Sequence, residues 1–263
     1  MKIDNSQYLA FQKCPLFWYE RYVTKKQKPH TYFEFGKLFH EMLECGYKGI
    51  TCDVDKLNAM MTVPDERLVA EAEAMYEAYK AHYPVEPFEV VDCEKSFALS
   101  IPGTKHTYAG RLDMTVRSST TKHLQLFESK TEKRGSYRNH PKAWAARSQV
   151  SLYFWAAQQV YGEPVDNIIL NVATRGSEKG QIGPTFRRDL LERTPQQQET
   201  ALKDLVYVAD QIETLLAKGE PFPSNRNACM EGNFPCDYYD LHNIGSSEDI
   251  LAQFEEAEEY LTL

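Results

Sequence analysis

"HLQLFESKTEKR", residues 123–134, decides how the rest of the chain is read. Its first half alternates in the manner of a strand, where successive side chains point to opposite faces. Leu124, Leu126, Glu128 and Lys130 then share one face, and Gln125, Phe127 and Ser129 share the other. An acid and a base therefore stand side by side at the end of a buried face. Taken alone, such an E-x-K is a surface ion pair that contributes little. Its meaning depends on what the neighbouring segments bring to it.

Outward from this strand, segments 88–101 and 106–117 also read as strands, separated by Pro102-Gly103, and the polar turn Ser118-Ser119-Thr120-Thr121 leads into 123–131. A meander is the simplest pairing. Downstream come a helix over 140–161, a strand at 165–173, a strand near 184–191, and a helix over 195–218 opened by Thr194-Pro195. Upstream, residues 6–22 read as a helix capped by Ser6 and interrupted at Pro15, followed by helices over 32–48 and 65–82. The aromatic stripe Tyr8, Phe11, Phe17, Trp18 and Tyr22 reads as packing surface. A tail over 219–245, rich in Pro, Asn and Gly, precedes a final acidic helix. The fold class is α/β, a mixed central sheet flanked by helices. The expectation is one domain, with a helical N-terminal region over 1–84, a catalytic sheet core over 85–192 and a helical C-terminal region over 193–263.

Composition sets the frame. The chain has 263 residues, enough for a substantial core. With 42% hydrophobic and 12% aromatic residues it is globular rather than disordered. No apolar run approaches membrane-spanning length, and MKIDNSQYLAFQKCP lacks the apolar centre of a signal peptide. These features predict no membrane association and a cytoplasmic protein, in the host cytoplasm if the chain is of phage origin. The net charge of −8 excludes indiscriminate coating of nucleic acid by the whole surface. Six cysteines in such a setting read as reduced thiols or metal ligands.

One strand before the opening stretch stands "AGRLDMTV", where Arg111, Asp113 and Thr115 face away from Leu112, Met114 and Val116. If the two strands are neighbours, Asp113 and Glu128 converge into an oxygen-rich site suited to Mg²⁺ or Mn²⁺, with Lys130 as an adjacent cation. Phosphodiester hydrolysis needs such a set: carboxylates to hold a metal that acidifies its water, and a lysine to orient the water or steady the phosphate. The order Asp, about fifteen residues, then Glu-x-Lys resembles the PD-(D/E)XK nuclease superfamily.

Further motifs are similar to those of its RecB-like exonuclease branch, which includes CRISPR-associated, AddB and phage nucleases. "FGKLFHEMLE" resembles the G-x-x-x-H helix through Gly36 and His40, "GRLDMTV" and "FESKTEK" the second and third motifs, and "QVSLYFWAA" the Q-x-x-x-Y motif through Gln149 and Tyr153. By itself His40 reads as a core histidine; beside Asp113 and Glu128 it reads as a ligand. "HEMLE" is not a zinc-protease H-E-x-x-H, because position 44 is Glu. The resemblance implies a restriction-endonuclease-like core, a metal held by His40, Asp113, Glu128 and the Ser129 carbonyl, and DNA backbone contacts from Gln149 and Tyr153. A basic stretch adds to this: Lys130, Lys133, Arg134, Arg138, Lys142 and Arg147 against the single acid Glu132, with Tyr137 and Trp144 between them. It suits a DNA strand, phosphates on the bases and nucleobases on the rings, with Arg134, Lys142 and Arg147 as contacts. Lys179, Arg187 and Arg188 are the next candidates.

Members of the branch often carry an iron–sulfur cluster, held by one cysteine before the first motif and three after the last. Cys14 in "FQKCPLFWYERY" matches the first, and "NACMEGNFPCDYYDLH" supplies Cys229 and Cys236. His242 stands where the last cysteine is expected. A 4Fe-4S cluster with one imidazole, a structural Cys₃His zinc site and no metal all remain open. Cys45, Cys52 and Cys93 read as ordinary thiols. The function expected is a metal-dependent deoxyribonuclease, an exonuclease on DNA ends or single strands, in recombination, repair, or phage or CRISPR DNA processing. The rival is a non-catalytic or partner-dependent DNA-binding protein of the same fold. There is no Walker-type motif, so a helicase or recombination motor would be a separate chain.

Overall fold

The computed structural model describes residues 1–29, 34–136, 139–176, 182–231 and 234–256. In chain order these form β1 (Lys2–Ile3), α1 (Asn5–Lys13), α2 (Pro15–Tyr22), β2 (Lys26–Gln27), α3 (Glu34–Lys48), α4 (Val54–Ala59) and α5 (Glu66–His82). There follow β3 (Phe88–Ser100), β4 (Thr107–Ser118), β5 (Leu124–Glu132), α6 (Pro141–Ala145), α7 (Ser148–Tyr161), β6 (Val165–Thr174), β7 (Thr185–Leu191) and α8 (Pro195–Lys218). The tail holds β8 (Met230–Glu231), β9 (Phe234–Pro235), α9 (Tyr239–Asn243), α10 (Glu248–Leu251) and β10 (Glu255–Glu256). The chain divides into two compact units, one of Met1–Pro29, Ala98–Gly110 and Thr200–Leu263, the other of His30–Phe97 and Arg111–Glu199.

The second unit carries the mixed sheet. β3 pairs with β4, β4 runs antiparallel to β5, β5 parallel to β6, and β6 antiparallel to β7. The meander is therefore present, and the α6–α7 segment supplies the crossover that a parallel β5–β6 pair needs. Both faces of β5 are buried. Phe127 packs with Phe88, Met114, Val116 and Ile169 on one side, while Leu124 and Leu126 are buried on the other. The stripe Phe35, Leu38, Phe39, Met42 and Leu43 sets α3 against Val69, Ala72, Met75 and Tyr79 of α5 and against Ala173 of β6. Each such side chain contributes about 1.5–3 kcal/mol on burial, so α3 is firmly seated.

In the first unit β1 lies parallel to the start of β4, β2 pairs with β10, and β8 with β9. The aromatic stripe is packing: Tyr8 and Trp18 are buried, and Trp18 stacks on Phe222.

Three expectations are corrected and one helix is added. Asp4, not Ser6, caps α1, its carboxylate accepting from the Gln7 N–H at 2.7 Å; a full negative charge suits a helix N-terminus better than a hydroxyl. The helix expected over 140–161 is two, because Arg147 adopts extended backbone between α6 and α7. α4 went unforeseen, being six residues long with too few turns to show a period. The final acidic helix is only the four residues of α10, followed by β10, with 257–263 outside the described residues.

Candidate active site

Met114 of β4 lies opposite Phe127 of β5, and the pairing ends there. One step on, Asp113 and Glu128 come abreast on the same face. The Ser129 N–H donates to Asp113 Oδ2 at 3.0 Å. Lys130 returns to the face of Glu128, its Nζ 2.6 Å from Glu128 Oε1 and 3.8 Å from Asp113 Oδ2. From the start of α7, Gln149 Nε2 donates to the same Glu128 oxygen at 3.4 Å. The acid and base two residues apart thus belong to one cluster of charges.

His40 reaches that cluster from α3, on the sheet's other face. Its approach depends on Gly36, one turn earlier, where a Cβ would stand 3.1 Å from Thr131 Oγ1 of β5. His40 Nδ1 lies 3.9 Å from Asp113 Oδ2. A residue that the sequence pattern did not single out joins them: Glu94 of β3, with φ +53°, ion-paired to Arg111 at 2.6 Å. The donor atoms of His40, Glu94 and Asp113 all lie within 4.8 Å of one another. Beside them is a cavity of about 20 Å³ lined by these three with Glu44 and Ser129, room for one water-sized occupant.

The electrostatics invite a cation. Burial and the Asp113 charge push Glu128 up to about 7, and burial followed by Asp113 does the same to Glu94. Carboxylates crowded this way gain from a shared metal. Burial pushes His40 below its ordinary value, favouring the neutral imidazole that can ligate. For Lys130 burial works against the charge, but Glu128 and Asp113 outweigh it and leave the pKa raised. Glu128 is bound to Lys130 and lies outside the set formed by His40, Glu94 and Asp113.

The basic stretch is only partly a surface. Lys133, Arg134 and Lys142 are exposed, and Arg134 donates to the Gly183 carbonyl at 3.0 Å. Trp144 is 1% exposed, its Nε1 donating to Asn139, so it cannot stack on a nucleobase. Instead Arg147 lies 4.3 Å and Lys130 5.4 Å over its ring, so it positions two cations beside the carboxylates. Tyr137, Arg138 and Lys179 lie outside the described residues. Arg188 is withdrawn from the surface by Glu86, Tyr79 and Asn171, and Arg187 is paired with Glu132 and Asp189. Tyr153 of α7 packs edge-on against Phe97.

In the other unit, Cys14, Cys229, Cys236 and His242 line one cavity of about 180 Å³. The Asn225 N–H donates to Cys14 Sγ at 3.2 Å and the Tyr238 N–H to Cys236 Sγ at 3.4 Å. His242 Nε2 lies 3.3 Å from Glu20 Oε1. Burial opposes the Glu20 charge, but hydrogen bonds from His242, Lys26 and Thr24 outweigh it and hold the carboxyl at about 2. These donors form no set within 4.8 Å among the described residues; zinc with bonds of ~2.3 Å would hold its sulfurs about 3.8 Å apart. The set that does form in this unit, His106, Asp210 and Glu213, already holds the Met1 amino group and Lys105.

The sequence profile of the PD-(D/E)XK nuclease superfamily matches residues 5–240. No curated protein sequence matches the chain significantly. The crystal structure of a "Putative exonuclease" from Eubacterium rectale superposes with a TM-score of 0.58 at 14% identity, covering 94% of this chain and 90% of that one. A crystal structure of SSO0001 aligns over 80% of this chain and 86% of that one at 15% identity, with a TM-score of only 0.27. The first shares the fold. With the profile spanning nearly the whole chain, including the two strands that bring Asp113, Glu128 and Lys130 together, the chain belongs to the PD-(D/E)XK nuclease superfamily.

Proposed function

We propose that the chain is a divalent-metal-dependent deoxyribonuclease acting as an exonuclease on DNA ends or single strands. The observation that carries this reading is the meeting of His40, Glu94 and Asp113 around a water-sized cavity, with the Lys130–Glu128 pair on the same strand ends. The donor set, two carboxylates and an imidazole with the Ser129 backbone beside it, fits Mg²⁺ or Mn²⁺. When bound, such a cation polarises the scissile phosphate and lowers the pKa of a coordinated water.

The chain's own groups do the rest. His40, Glu94 and Asp113 would hold the ion, with Glu128 and the Ser129 carbonyl as the further oxygen donors that the family resemblance implies. Lys130 presents its ammonium where negative charge builds on the phosphate. Gln149 fixes Glu128, Trp144 fixes Lys130 and Arg147, and the exposed Arg134 and Lys142 offer contacts to the DNA backbone. A role in recombination or repair beside a separate motor chain rests on the family resemblance alone.

We further propose a 4Fe-4S cluster in the cavity between Cys14, Cys229, Cys236 and His242. Three thiolates and an imidazole around 180 Å³, with donors more widely spaced than one zinc ion needs, support a polynuclear group over structural zinc. Its chemistry there is structural, tying the two ends of the sequence together.

The test of the nuclease reading is incubation with end-labelled linear single- and double-stranded DNA, and with closed circles, with and without Mg²⁺ or Mn²⁺. Linear DNA should be degraded to nucleotides or short fragments only with metal, and circles should survive. Cleavage of circles would replace the exonuclease by an endonuclease. Equal cleavage by wild type and Asp113→Ala would remove the assigned site, and binding without cleavage under every condition would establish the non-catalytic alternative.

A further inference from the structure

Next to the Cys14 cavity, in contact with its His242, lies a feature that three cysteines do not account for. Glu20, on the helix that follows Cys14, is buried at 8% exposure in an otherwise aromatic stretch. Its Oε2 accepts from Lys26 Nζ at 2.8 Å and Thr24 Oγ1 at 2.7 Å, which fixes the carboxylate. Its other oxygen, Oε1, is directed to His242 Nε2 at 3.3 Å. Tyr238 tilts against the His242 ring with centroids 6.1 Å apart, and is itself buried with its hydroxyl on the Lys26 carbonyl. The imidazole is therefore held from two sides, with Nε2 committed to Glu20.

Metal-bound histidines have this arrangement: one ring nitrogen donates to a carboxylate, which sets the tautomer and leaves the other nitrogen's lone pair for the metal. We propose that His242 is the fourth cluster ligand through Nδ1, and that Glu20 is the positioning residue that keeps it so. The inference rests on the cluster reading and deepens it: the histidine completes a Cys₃His set rather than marking a lost site. The two backbone N–H donors on Cys14 and Cys236 belong to the same design, since hydrogen bonds to ligand sulfurs tune such clusters. Replacing one thiolate by a neutral imidazole removes a negative charge from the cluster, so its reduction potential lies above that of the same cluster with four cysteines.

The experiment uses the full chain, purified and reconstituted with iron and sulfide without oxygen, as wild type, His242→Cys, His242→Ala and Glu20→Gln. Iron content, the visible spectrum, the midpoint potential and pulsed EPR of the reduced cluster are read for each. Wild type should carry four irons and show a nitrogen hyperfine coupling from the imidazole. His242→Cys should keep four irons, lose that coupling and shift to a lower potential. His242→Ala should lose one iron and give the EPR signal of an oxidised three-iron cluster. Glu20→Gln should keep its iron but alter the imidazole nitrogen coupling as well as raise the potential, because the carboxylate no longer fixes and polarises the ring; a glutamate that acts through its charge alone would raise the potential and leave that coupling unchanged.

Four irons with no nitrogen coupling and an unchanged potential in His242→Cys would overturn the ligand assignment while leaving the cluster standing. A colourless chain with one zinc, or with no metal after reconstitution, would overturn the cluster reading and this inference with it. Neither result touches the nuclease assignment.

Discussion

Glu94 stands in β3 with its backbone at φ +53°, a left-handed conformation that costs a non-glycine residue about 1–3 kcal/mol and tends to persist where surrounding structure requires it. Here the conformation brings the carboxylate to His40 and Asp113. Lys130 sits close by in a different relation, bonded to Glu128 rather than within that donor set. The two residues should fail differently. Glu94→Gln is expected to weaken Mn²⁺ binding, measured by EPR titration, by about 10-fold or more. Lys130→Ala should leave metal affinity within a few-fold and cut the cleavage rate by about 10²-fold or more, because a cation that acts on developing charge contributes mainly in the transition state. Loss of metal binding in Lys130→Ala equal to that in Glu94→Gln would show that the two share one role. Asp113, Glu128 and Lys130 were legible because strand alternation and a short turn suffice to bring them together. Glu94 was not, because the pattern of β3 gives no sign of a left-handed residue. Trp144 was misread for a related reason: its place among basic residues suggested a stacking ring, whereas burial makes it a platform beneath Lys130 and Arg147.

At the scale of elements, α3 is placed by its apolar stripe but brought into contact with β5 by one missing side chain. At Gly36 a Cβ would meet Thr131 Oγ1 at 3.1 Å, a contact relieved if the threonine gives by a few tenths of an ångström. Gly36→Ala is therefore expected to be nearly neutral. Gly36→Val adds two methyls that cannot fit, and should tilt α3 away from β5 and carry His40 off Asp113, weakening Mn²⁺ binding and cleavage together. Thr131→Ala removes the obstructing oxygen and should restore some of the loss in the double variant, a coupling that independent sites would not show. Circular dichroism and thermal unfolding check that the fold survives. The helices and strands were largely legible from their periods, α8 to the residue. The break at Arg147 was not, because neither proline nor glycine marks it: the chain leaves the helix where Arg147 packs on Trp144.

Across the whole molecule, the sheet that brings Asp113, Glu128 and Lys130 together was legible from alternation, and the chain's membership in the superfamily from four motifs in order. The tail was legible only through its cysteines, since elements of two to five residues carry no period to read. Those cysteines join positions more than two hundred residues apart, Cys14 to Cys229 and Cys236, within one compact unit. A metal group bridging them forms only when both ends are in place, so its binding energy becomes folding energy, and the closure restricts the unfolded chain as well. Among the described residues the tail has short elements and few buried side chains, so the proposed metal group would matter most there. Cys236→Ser is therefore expected to lower the unfolding temperature of the anaerobically reconstituted protein and to make the tail the first target of limited proteolysis. The same substitution in protein stripped of iron and kept reduced should change little, because only an ordinary hydrogen bond from Tyr238 is then lost. Equal unfolding temperatures with and without the substitution in the reconstituted protein would mean that the two ends are held by packing alone, through Trp18, Phe222 and Tyr238.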